Sequence, residues 1–427
     1  MINEIFFGEK KDKIYSALKN VLENVPYYRE NWGFKLPPIE KFDYSFFQQF
    51  VPILEKDEVR THNDQFISTR YDKNELTFDV TSGTTGNPLL CYKSKKERLK
   101  RANELWKQRR MFVPDLSVYD RFARFYAYRM NEEYLITNKV LHRGNELHIP
   151  LFDYSEDRIE EYLSEISQFH PRWMHGPSTA IFNLAKHAKS KKIDLKIELI
   201  ELNGEFVTDI QQSLIKEVFQ CKVANHYGSR EFWAMAYSCE EGHLHVLDES
   251  LFIESIYNES LQDYELVVTS LSNDAWPLIR YKIGDVGTIE KISCNSHSSS
   301  YVLHLKKGRI ADYFTLAGNK YINAITFSGI IRGLSNIKGS LVVYQYQVLK
   351  VAENELIIKL CMNKENAENI KSFIVRLGTE IRKIIGNEII LHFKIVDSIQ
   401  PDPKTGKCRD FVDLTKKGVE YERALLE

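Results

Sequence analysis

The chain has 427 residues, 43% of them hydrophobic. This length exceeds what a single hydrophobic core usually organises, so two domains are expected. Its 58 Lys and Arg residues face 59 Asp and Glu residues, giving a formal net charge of −1. This balance argues against a dedicated nucleic-acid or membrane-surface protein, because such proteins usually carry a clear basic excess. A small-molecule substrate fits the composition better.

The cysteines and the N-terminus bear on the cellular compartment. The N-terminus runs directly into charged residues and lacks the apolar core of a signal peptide. No segment approaches the ~18 continuous apolar residues of a membrane span. We therefore expect a cytoplasmic protein with no membrane span. Its six cysteines are too scattered for a disulfide framework and are expected to be free thiols: Cys91, Cys221, Cys239, Cys294, Cys361 and Cys408.

A glycine- and hydroxyl-rich loop follows a predicted strand at residues 76–80. Such a loop offers unobstructed backbone N–H groups and hydroxyl donors, which suits an anionic polyphosphate. It lacks the spacing of a Walker A motif, so a P-loop of that type is not expected. Taken alone, an ordinary Ser/Thr/Gly turn explains it equally well. Its central residues are Ser82, Gly83, Thr84, Thr85 and Gly86.

Residues 95–110 contain eight basic residues and two glutamates at helical spacing. A nucleic-acid contact would be one explanation of this pattern. A solvated helix face is favoured, because charge runs on helices usually have that role.

Residues 153–227 alternate between helical and strand patterns, which predicts βαβ units around a mainly parallel sheet. Ser155 begins one predicted helix, and residues 208–219 form another. Strands are predicted at residues 193–199 and 222–225. The second strand delivers Tyr227 to its C-terminal end, where open α/β sheets bind ligands.

The C-terminal half of the chain has a different texture. Short strands at residues 265–271, 286–292 and 301–305 predict a β-rich subdomain. Strands at residues 340–351, 355–361 and 388–396, with a helix at 365–385, predict a small α+β unit. We place the boundary near residue 310, giving domains 1–309 and 310–427.

Five further motifs follow the glycine-rich loop in a fixed order. This ordered set resembles the adenylate-forming superfamily of acyl-CoA synthetases, adenylation domains and luciferases, over nearly the whole chain. Within the superfamily, the chain most resembles phenylacetate-CoA ligases and their capsule-locus relatives. This resemblance rests on residues 26–29, residues 52–56 and the pair Gly204-Glu205. The motifs are Asn203-Gly204-Glu205, Asn225-His226-Tyr227-Gly228-Ser229-Arg230-Glu231, Arg280-Tyr281-Lys282-Ile283-Gly284-Asp285, Gly308-Arg309-Ile310-Ala311-Asp312 and Thr405-Gly406-Lys407.

The resemblance implies an α/β fold. Its large N-terminal domain would contain mixed, mainly parallel sheets with helices and the β-rich subdomain, and would bind ATP and the acid. Its small C-terminal α+β domain would be a mobile lid with the catalytic lysine. In the superfamily this domain rotates between adenylation and acyl transfer, which assigns the hinge here to Ala311 or Asp312. Aspartate is usual at the position of Ala311.

The resemblance also implies roles for single residues. Residues 82–86 would hold the β- and γ-phosphates, with one charge fewer than usual because Asn87 stands where lysine is frequent. Tyr227 would stack on adenine, and Glu231 would bind Mg²⁺, which prefers carboxylate oxygen. The remaining nucleotide-binding positions are Gly204 and Glu205 beside adenine, Gly228 and Ser229 in the Tyr-Gly motif, Asp285 at the ribose hydroxyls and Arg309 near ribose and phosphate.

Lys407 matches the lysine that bridges the attacking carboxylate and the α-phosphate in the superfamily. A flexible point charge suits that task because it can reach across a domain interface. Lys404 competes for the role, and Arg409 is a weaker candidate.

Cysteines and histidines near the Tyr-Gly motif suggest a tetrahedral zinc site. Cys239, His243 and His245 follow the motif, and Cys294 and His297 have Cys-x-x-His spacing. We select Cys239, His245, Cys294 and His297 as ligands. Some phenylacetate-ligase relatives resemble this pattern with a cysteine in place of His297. Unrelated buried cysteines and surface histidines explain the pattern equally well.

The leading functional hypothesis is ATP-dependent acid activation through an acyl-adenylate, followed by acyl transfer to coenzyme A. The runner-up uses an amine as acceptor, as in an amide ligase of polysaccharide or natural-product biosynthesis. The third is a catalytically silent binding protein of the same fold. The expected partners are a carboxylic acid and an acceptor of its acyl group, either coenzyme A or an amine. No nucleic-acid partner is expected, and both a monomer and a homodimer are compatible with the sequence.

Overall fold

The computed structural model describes residues 2–81, 89–126, 139–150, 156–204, 207, 209–259, 263–295, 297, 299–307, 313–316, 320–323, 327, 330–331, 333–334, 343–362, 367–396 and 411–415. The helices are α1 (Ile2–Asn24), α2 (Pro26–Asn31), α3 (Tyr44–Phe50), α4 (Lys56–Thr61), α5 (Lys95–Phe112), α6 (Glu156–Phe169), α7 (Ser178–Lys191), α8 (Asp209–Phe219) and α9 (Ala367–Ile385). Short 3₁₀ turns span Ile39–Lys41, Asn63–Phe66 and Lys73–Glu75.

Two β-strands form an N-terminal hairpin, β1 (Thr77–Val80) and β2 (Leu90–Lys93). The central strands are β3 (Phe122–Tyr126), β4 (Leu141–Arg143), β5 (Glu146–Pro150), β6 (Trp173–Pro177), β7 (Leu199–Asn203), β8 (Lys222–Ser229), β9 (Trp233–Ser238) and β10 (Leu244–Val246). The later strands are β11 (Leu251–Asn258), β12 (Asp263–Ser270), β13 (Tyr281–Lys291), β14 (Tyr301–Lys307), β15 (Tyr313–Leu316), β16 (Lys320–Asn323), β17 (Val343–Ala352), β18 (Glu355–Met362), β19 (Ile390–Ile395) and β20 (Phe411–Asp413).

One large mixed sheet organises the N-terminal three hundred residues. Its strand order is β11-β12-β13-β14-β10-β9-β8-β7-β6-β3-β5-β4. The strands β5, β3, β6, β7 and β8 are parallel, and the described strands from β9 to β14 pair antiparallel. The predicted α/β class is therefore confirmed. The expected β-rich subdomain is the antiparallel continuation of this sheet.

The parallel strands have two faces with different chemistry. Met174, Ile200 and Val223 lie on the face covered by α6, α7 and α8, where they join one apolar core. Trp173 and Leu199 lie on the opposite face, in an apolar cluster with the end of α5. Because side chains alternate along a strand, residues two positions further on remain on the same face.

The predicted strand at residues 193–199 is wrong, since the strand begins only at Leu199. Helix α7 ends at Lys191 and is capped by Lys192 in a left-handed conformation (φ 56°), and the chain then runs along the helical layer. Leu195 and Ile197 bury their side chains in the core of that layer. Their alternation reflects burial against helices and not membership of the sheet. Helix α8 and strand β8 contain the predicted residues 209–219 and 222–225.

The predicted solvated face of α5 is also only partly correct. Arg101 and Arg109 are buried, at 2% and 8% exposure. Arg101 donates to the carbonyl oxygens of Phe232 and Ala234, and Arg109 pairs with Glu201. The helix lies against the sheet, so these cations serve packing within the protein.

The C-terminal residues form a separate four-stranded sheet with the order β19-β18-β17-β20. Helix α9 packs on it through buried residues such as Leu377 and Ile381. The observed β17, β18, β19 and α9 differ from the predicted bounds by three residues or fewer. The domain boundary near residue 310 stays a prediction, because residues 308–312 lie outside the described residues.

Candidate functional site

The glycine-rich loop is held at the closed end of the β1–β2 hairpin. Val80 pairs with Leu90 in the antiparallel register. Beyond this pair, Thr81 N–H donates to the Leu89 carbonyl (3.0 Å) and Leu89 N–H donates to Thr81 Oγ1 (3.1 Å). The loop itself lies outside the described residues, but both of its ends are fixed together.

Buried polar contacts attach this hairpin to the Tyr-Gly motif. Lys93, which is 2% exposed, donates from Nζ to the Arg230 carbonyl (2.7 Å) and to Asp79 Oδ2 (3.3 Å). Trp233 Nε1 donates to the same Asp79 oxygen (2.7 Å). The base of the loop therefore lies beside the turn that contains Glu231.

Glu231 is a buried carboxylate at this junction, with 3% exposure. Tyr281 hydroxyl donates to its Oε1 (3.0 Å), and Lys56 Nζ approaches the same oxygen (3.2 Å). Lys56 reaches this position because Leu54 pairs with the start of β13, donating to the Arg280 carbonyl (2.9 Å). We did not predict Lys56 or Tyr281 as site residues. The order of the motifs along the chain could not reveal them, since their link to Glu231 exists only in three dimensions.

Tyr227 and Asp285, two predicted nucleotide-binding residues, are in direct contact. The Tyr227 hydroxyl donates to Asp285 Oδ2 over 2.6 Å. Asp285 follows Gly284, whose φ of +79° turns the strand just before the carboxylate. Gly204, at φ +73°, ends β7 in another conformation that favours glycine. The structure thus brings the motif at residues 225–231 into contact with the motif at residues 280–285.

Gly228 is required by a close backbone approach. A Cβ atom at this position would lie 2.2 Å from the Trp233 carbonyl oxygen. The register between β8 and β9 shifts at Tyr227 and Gly228, which marks a bulge. Ser229 completes the turn, because its Oγ accepts a hydrogen bond from Phe232 N–H (3.1 Å).

We expect Gly228→Ala to lower the free energy of unfolding by about 2–4 kcal/mol, because backbone atoms must move to admit the methyl group. Urea unfolding measures the change. Gly8→Ala is the matched control: it lies within α1, nothing lies within 4 Å of its added Cβ, and alanine favours helix by ~1 kcal/mol. Equal stability of the two variants would contradict the assigned role of Gly228.

A buried polar cluster lies on the α5 face of the parallel strands. Glu201 Oε1 and Oε2 accept hydrogen bonds from Arg109 (3.0 and 2.8 Å), and Oε2 also accepts from the Tyr237 hydroxyl (2.9 Å). The Nδ1 atoms of His175 and His226 each lie 3.4 Å from Glu201 Oε1. Burial alone would raise the pKa of Glu201, but Arg109 and the two histidines hold that pKa well below its usual value. The carboxylate is therefore ionised at neutral pH.

A second cluster joins cysteines and histidines at the β9–β10 turn. The potential ligand atoms of Cys239, His243, His245 and Cys294 all lie within 4.8 Å of one another. The sulfur atoms of the two cysteines are 3.9 Å apart. His245 Nδ1 donates to the Ser299 carbonyl (2.6 Å), while its buried Nε2 has no hydrogen-bond partner among the described residues. The donor set suits a tetrahedral zinc ion.

His297 does not join this group, although we selected it as a ligand. Its Nε2 contacts Gln108 Oε1 (2.7 Å) and its Nδ1 accepts from Ser299 N–H (3.0 Å). The ring instead stacks on His245, with centroids 4.1 Å apart. Burial lowers the pKa of His297 to about 4, so the ring stays neutral. His243 takes the fourth position in the cluster.

Several predicted site residues fall outside the described part of the chain, and their roles stay predictions. They are Ser82, Gly83, Thr84, Thr85, Gly86, Glu205, Arg309, Ala311, Asp312 and Lys407. Among the described residues, no helix is both long and apolar enough to cross a membrane.

Comparison with known proteins identifies distant relatives. Protein CapK of Staphylococcus aureus is 24% identical over 371 residues, covering 84% of this chain and 78% of CapK. Indoleacetate–lysine synthetase of Pseudomonas savastanoi is 21% identical over 258 residues, covering 58% of this chain and 62% of the synthetase. No protein-family model matches the chain.

The fold matches solved structures over almost its whole length. A crystal structure of 2-hydroxyisobutyryl-CoA ligase with 2-HIB-AMP and CoA, in its thioesterification state, superimposes with a TM-score of 0.57. That match covers 98% of this chain and 92% of the ligase at 18% identity. At this identity the similarity establishes the fold.

Proposed function

We propose that the chain is an adenylate-forming enzyme that activates a carboxylic acid with ATP, releasing pyrophosphate and forming an acyl-adenylate. The main support is the position of the Tyr227–Asp285 pair and buried Glu231 beside the hairpin that presents the glycine-rich loop. An adenosine group and a Mg²⁺-bound polyphosphate need these groups near each other.

The proposed roles follow from the charge that develops in the reaction. A carboxylate attacks the α-phosphorus, so two anions must be held together and the pyrophosphate leaves with more negative charge. Tyr227 and Asp285 would position the adenosine. Glu231 would hold Mg²⁺, which lowers the repulsion between the anions. Lys56 offsets part of the charge of Glu231, because Lys56 Nζ lies 3.2 Å from Glu231 Oε1.

For the second step we propose coenzyme A as the acceptor, with an acid–thiol ligase as the overall activity. The solved ligase that shares the fold binds CoA. An amine acceptor is the alternative, because the distant relative from P. savastanoi is an indoleacetate–lysine synthetase. The two acceptors give the same adenylation step and differ only in the product.

The first step is tested by acid-dependent exchange of labelled pyrophosphate into ATP, with purified protein and Mg²⁺. We expect exchange with at least one acid of a panel of aryl, alkyl and hydroxy acids. Exchange with none of them would favour a silent binding protein and contradict the proposal. Adding either coenzyme A or a set of amines to a reactive acid then distinguishes thioester from amide formation by mass spectrometry.

We also propose that Cys239, His243, His245 and Cys294 bind a structural zinc ion. His245 has the arrangement of a zinc-bound histidine, since one ring nitrogen donates to a backbone carbonyl and the other is buried with no hydrogen-bond partner in the described part of the chain. When bound, zinc would tie the segment around Cys294 to the β9–β10 turn.

Metal analysis of protein purified without a histidine tag is expected to give one zinc per chain. His245→Ala should lose the zinc and lower the melting temperature, because the ion links two segments. His297→Ala is the matched control and should retain zinc, since both nitrogens of His297 are already engaged. Absence of zinc from the unmodified protein, or loss of zinc only in the His297 variant, would refute the ligand set.

A further inference from the structure

Three side chains of the polar cluster, His175, Glu201 and His226, come from the adjacent parallel strands β6, β7 and β8, near the carboxyl ends of those strands. His175, Glu201 and Ala224 align across β6, β7 and β8, and Pro177, Asn203 and His226 align two residues further on. His226 immediately precedes Tyr227, and Asn203 immediately precedes Gly204. In sheets of this type, ligands bind beside the carboxyl ends of the strands. The cluster is therefore next to the proposed nucleotide site.

The hydrogen bonds of the cluster leave His226 with one unused acceptor. Its Nδ1 faces the ionised carboxylate of Glu201 over 3.4 Å, so this nitrogen bears the proton and donates. In a ring that carries its proton on Nδ1, Nε2 offers a lone pair as a hydrogen-bond acceptor. This atom is buried and has no hydrogen-bond partner among the described residues. It lies 3.3 Å from the position that a Cβ of Gly228 would occupy, so it is directed along β8 towards the Tyr-Gly motif.

His175 and Asn203 extend the same polar surface. The Asn203 amide nitrogen lies 2.6 Å from His175 Nδ1. The imidazole is partly exposed, with 24% of its side-chain surface accessible. It lies on the same face of the sheet as His226, because the two residues occupy alternating positions of the parallel register.

Glu201 itself has no capacity left for a ligand. A carboxylate offers about four lone pairs, and Glu201 already accepts two bonds from Arg109 and one from Tyr237, with both imidazoles nearby. Arg109 neutralises its charge. Burial lowers the pKa of His175, and the positive charges of Arg109 and Arg124 lower it further. The surroundings of these rings thus disfavour an added cation.

We propose that His175, Asn203 and His226 form the acid-binding wall, and that they select an acid bearing an uncharged hydrogen-bond donor, of which a hydroxyl group is the simplest. This inference rests on the proposed adenylation activity. A hydroxyl can donate to His226 Nε2 without bringing charge. A hydrocarbon substituent would leave that buried acceptor unpaired, and an ammonium group would be desolvated without a free counter-charge.

The test compares acids that differ in one substituent, using pyrophosphate exchange. Each of three scaffolds (phenylacetic, benzoic and butanoic acid) is used unsubstituted, with a hydroxyl group and with an aminomethyl or amino group. On the scaffold that reacts best, we expect kcat/KM for the hydroxy acid to exceed both analogues by about 100-fold. Unsubstituted acids that react equally well or better would overturn the inference while leaving the adenylation activity established. Absence of exchange with every acid would refute both.

Two substitutions of His226 distinguish the hydrogen-bond acceptor at Nε2 from the packing of the side chain. His226→Asn keeps an N–H group near the place of Nδ1 but removes the acceptor at Nε2. His226→Gln places an amide oxygen near Nε2. We expect the preference for the hydroxy acid to fall below about 5-fold in His226→Asn and to persist in His226→Gln.

His142→Ala serves as the control, because His142 is an exposed histidine paired with Glu165. It should leave the melting temperature and the preference unchanged. An unchanged preference in the His226→Asn variant would overturn the proposed role of His226.

Discussion

Lys407→Ala is expected to lower the rate of acid-dependent pyrophosphate exchange by about 10²–10³-fold, the usual effect of removing one donor that stabilises developing charge. The reaction joins two anions, and the proposed lysine bridges the carboxylate and the α-phosphate. Lys407 is not one of the residues to which we assign binding of the adenosine. Equilibrium binding of ATP should therefore change little, and a binding assay with labelled ATP measures this separately.

Lys404→Ala is the matched control for this prediction. It removes an identical charge three residues earlier in the same segment, and we expect exchange within about 3-fold of the unmodified rate. Full exchange in the Lys407 variant, with loss in the Lys404 variant, would transfer the role to Lys404. Full exchange in both the Lys407 and the Lys404 variant would show that neither lysine takes part in the adenylation step.

Arg109→Ala is expected to lower the free energy of unfolding by about 3–5 kcal/mol, because it leaves the buried Glu201 carboxylate without its counter-charge. Glu201 is fully buried and Arg109 makes two hydrogen bonds to it. The guanidinium also stacks on Trp173, at 4.4 Å from the ring centroid. Urea unfolding at pH 7 measures the loss.

Arg110→Ala is the control on the same helix, since Arg110 is exposed, donates to the Leu116 carbonyl and lies 5.8 Å from the centroid of the Trp106 ring. Its replacement should cost less than about 1 kcal/mol. A similar cost for the Arg109 and Arg110 variants would contradict the account of the buried pair.

The Arg109 effect should also depend on pH. In the unmodified protein the pKa of Glu201 is lowered, so its contribution to stability is present above the unfolded pKa of about 4.3 and is lost as pH falls through the folded value. Without Arg109, burial raises the pKa of Glu201 above 4.3, so the folded state binds the proton more readily and gains stability as pH falls below neutral. The difference in the free energy of unfolding between the Arg109→Ala variant and the unmodified protein should therefore become smaller as the pH falls from 7 to 5.

Local patterns in the sequence are enough to predict the elements and the ordered motifs. Strand β1, helix α8 and the start of β8 follow from short-range periodicity, because each buries side chains at the spacing of its own backbone. Gly228 is recognisable within its motif, and the need for glycine there comes from a contact only five residues away. The fold class could thus be derived in advance, whereas the location of the nucleotide site stays a prediction.

Two predictions were wrong in whole or in part because side chains are buried against an element that is distant in sequence. The alternation at residues 193–199 predicted a strand, but Leu195 and Ile197 pack into the helical layer. The basic residues of α5 predicted a solvated face, but a buried carboxylate on β7 and two backbone carbonyls on β8–β9 receive Arg109 and Arg101. In both cases the partner is distant in sequence, so no window of neighbouring residues contains the signal.

The sequence by itself determined the fold class, the order of the motifs and the residue types available for phosphate, metal and acid. Only the tertiary structure decided which of them meet: Lys56 with Glu231 across 175 positions, Tyr227 with Asp285 across 58, and His243 in place of His297 beside Cys294. The physical reason is that these contacts depend on sheet register and on the path of loops between strands. Both are set by the packing of the whole molecule and not by any local preference of the chain.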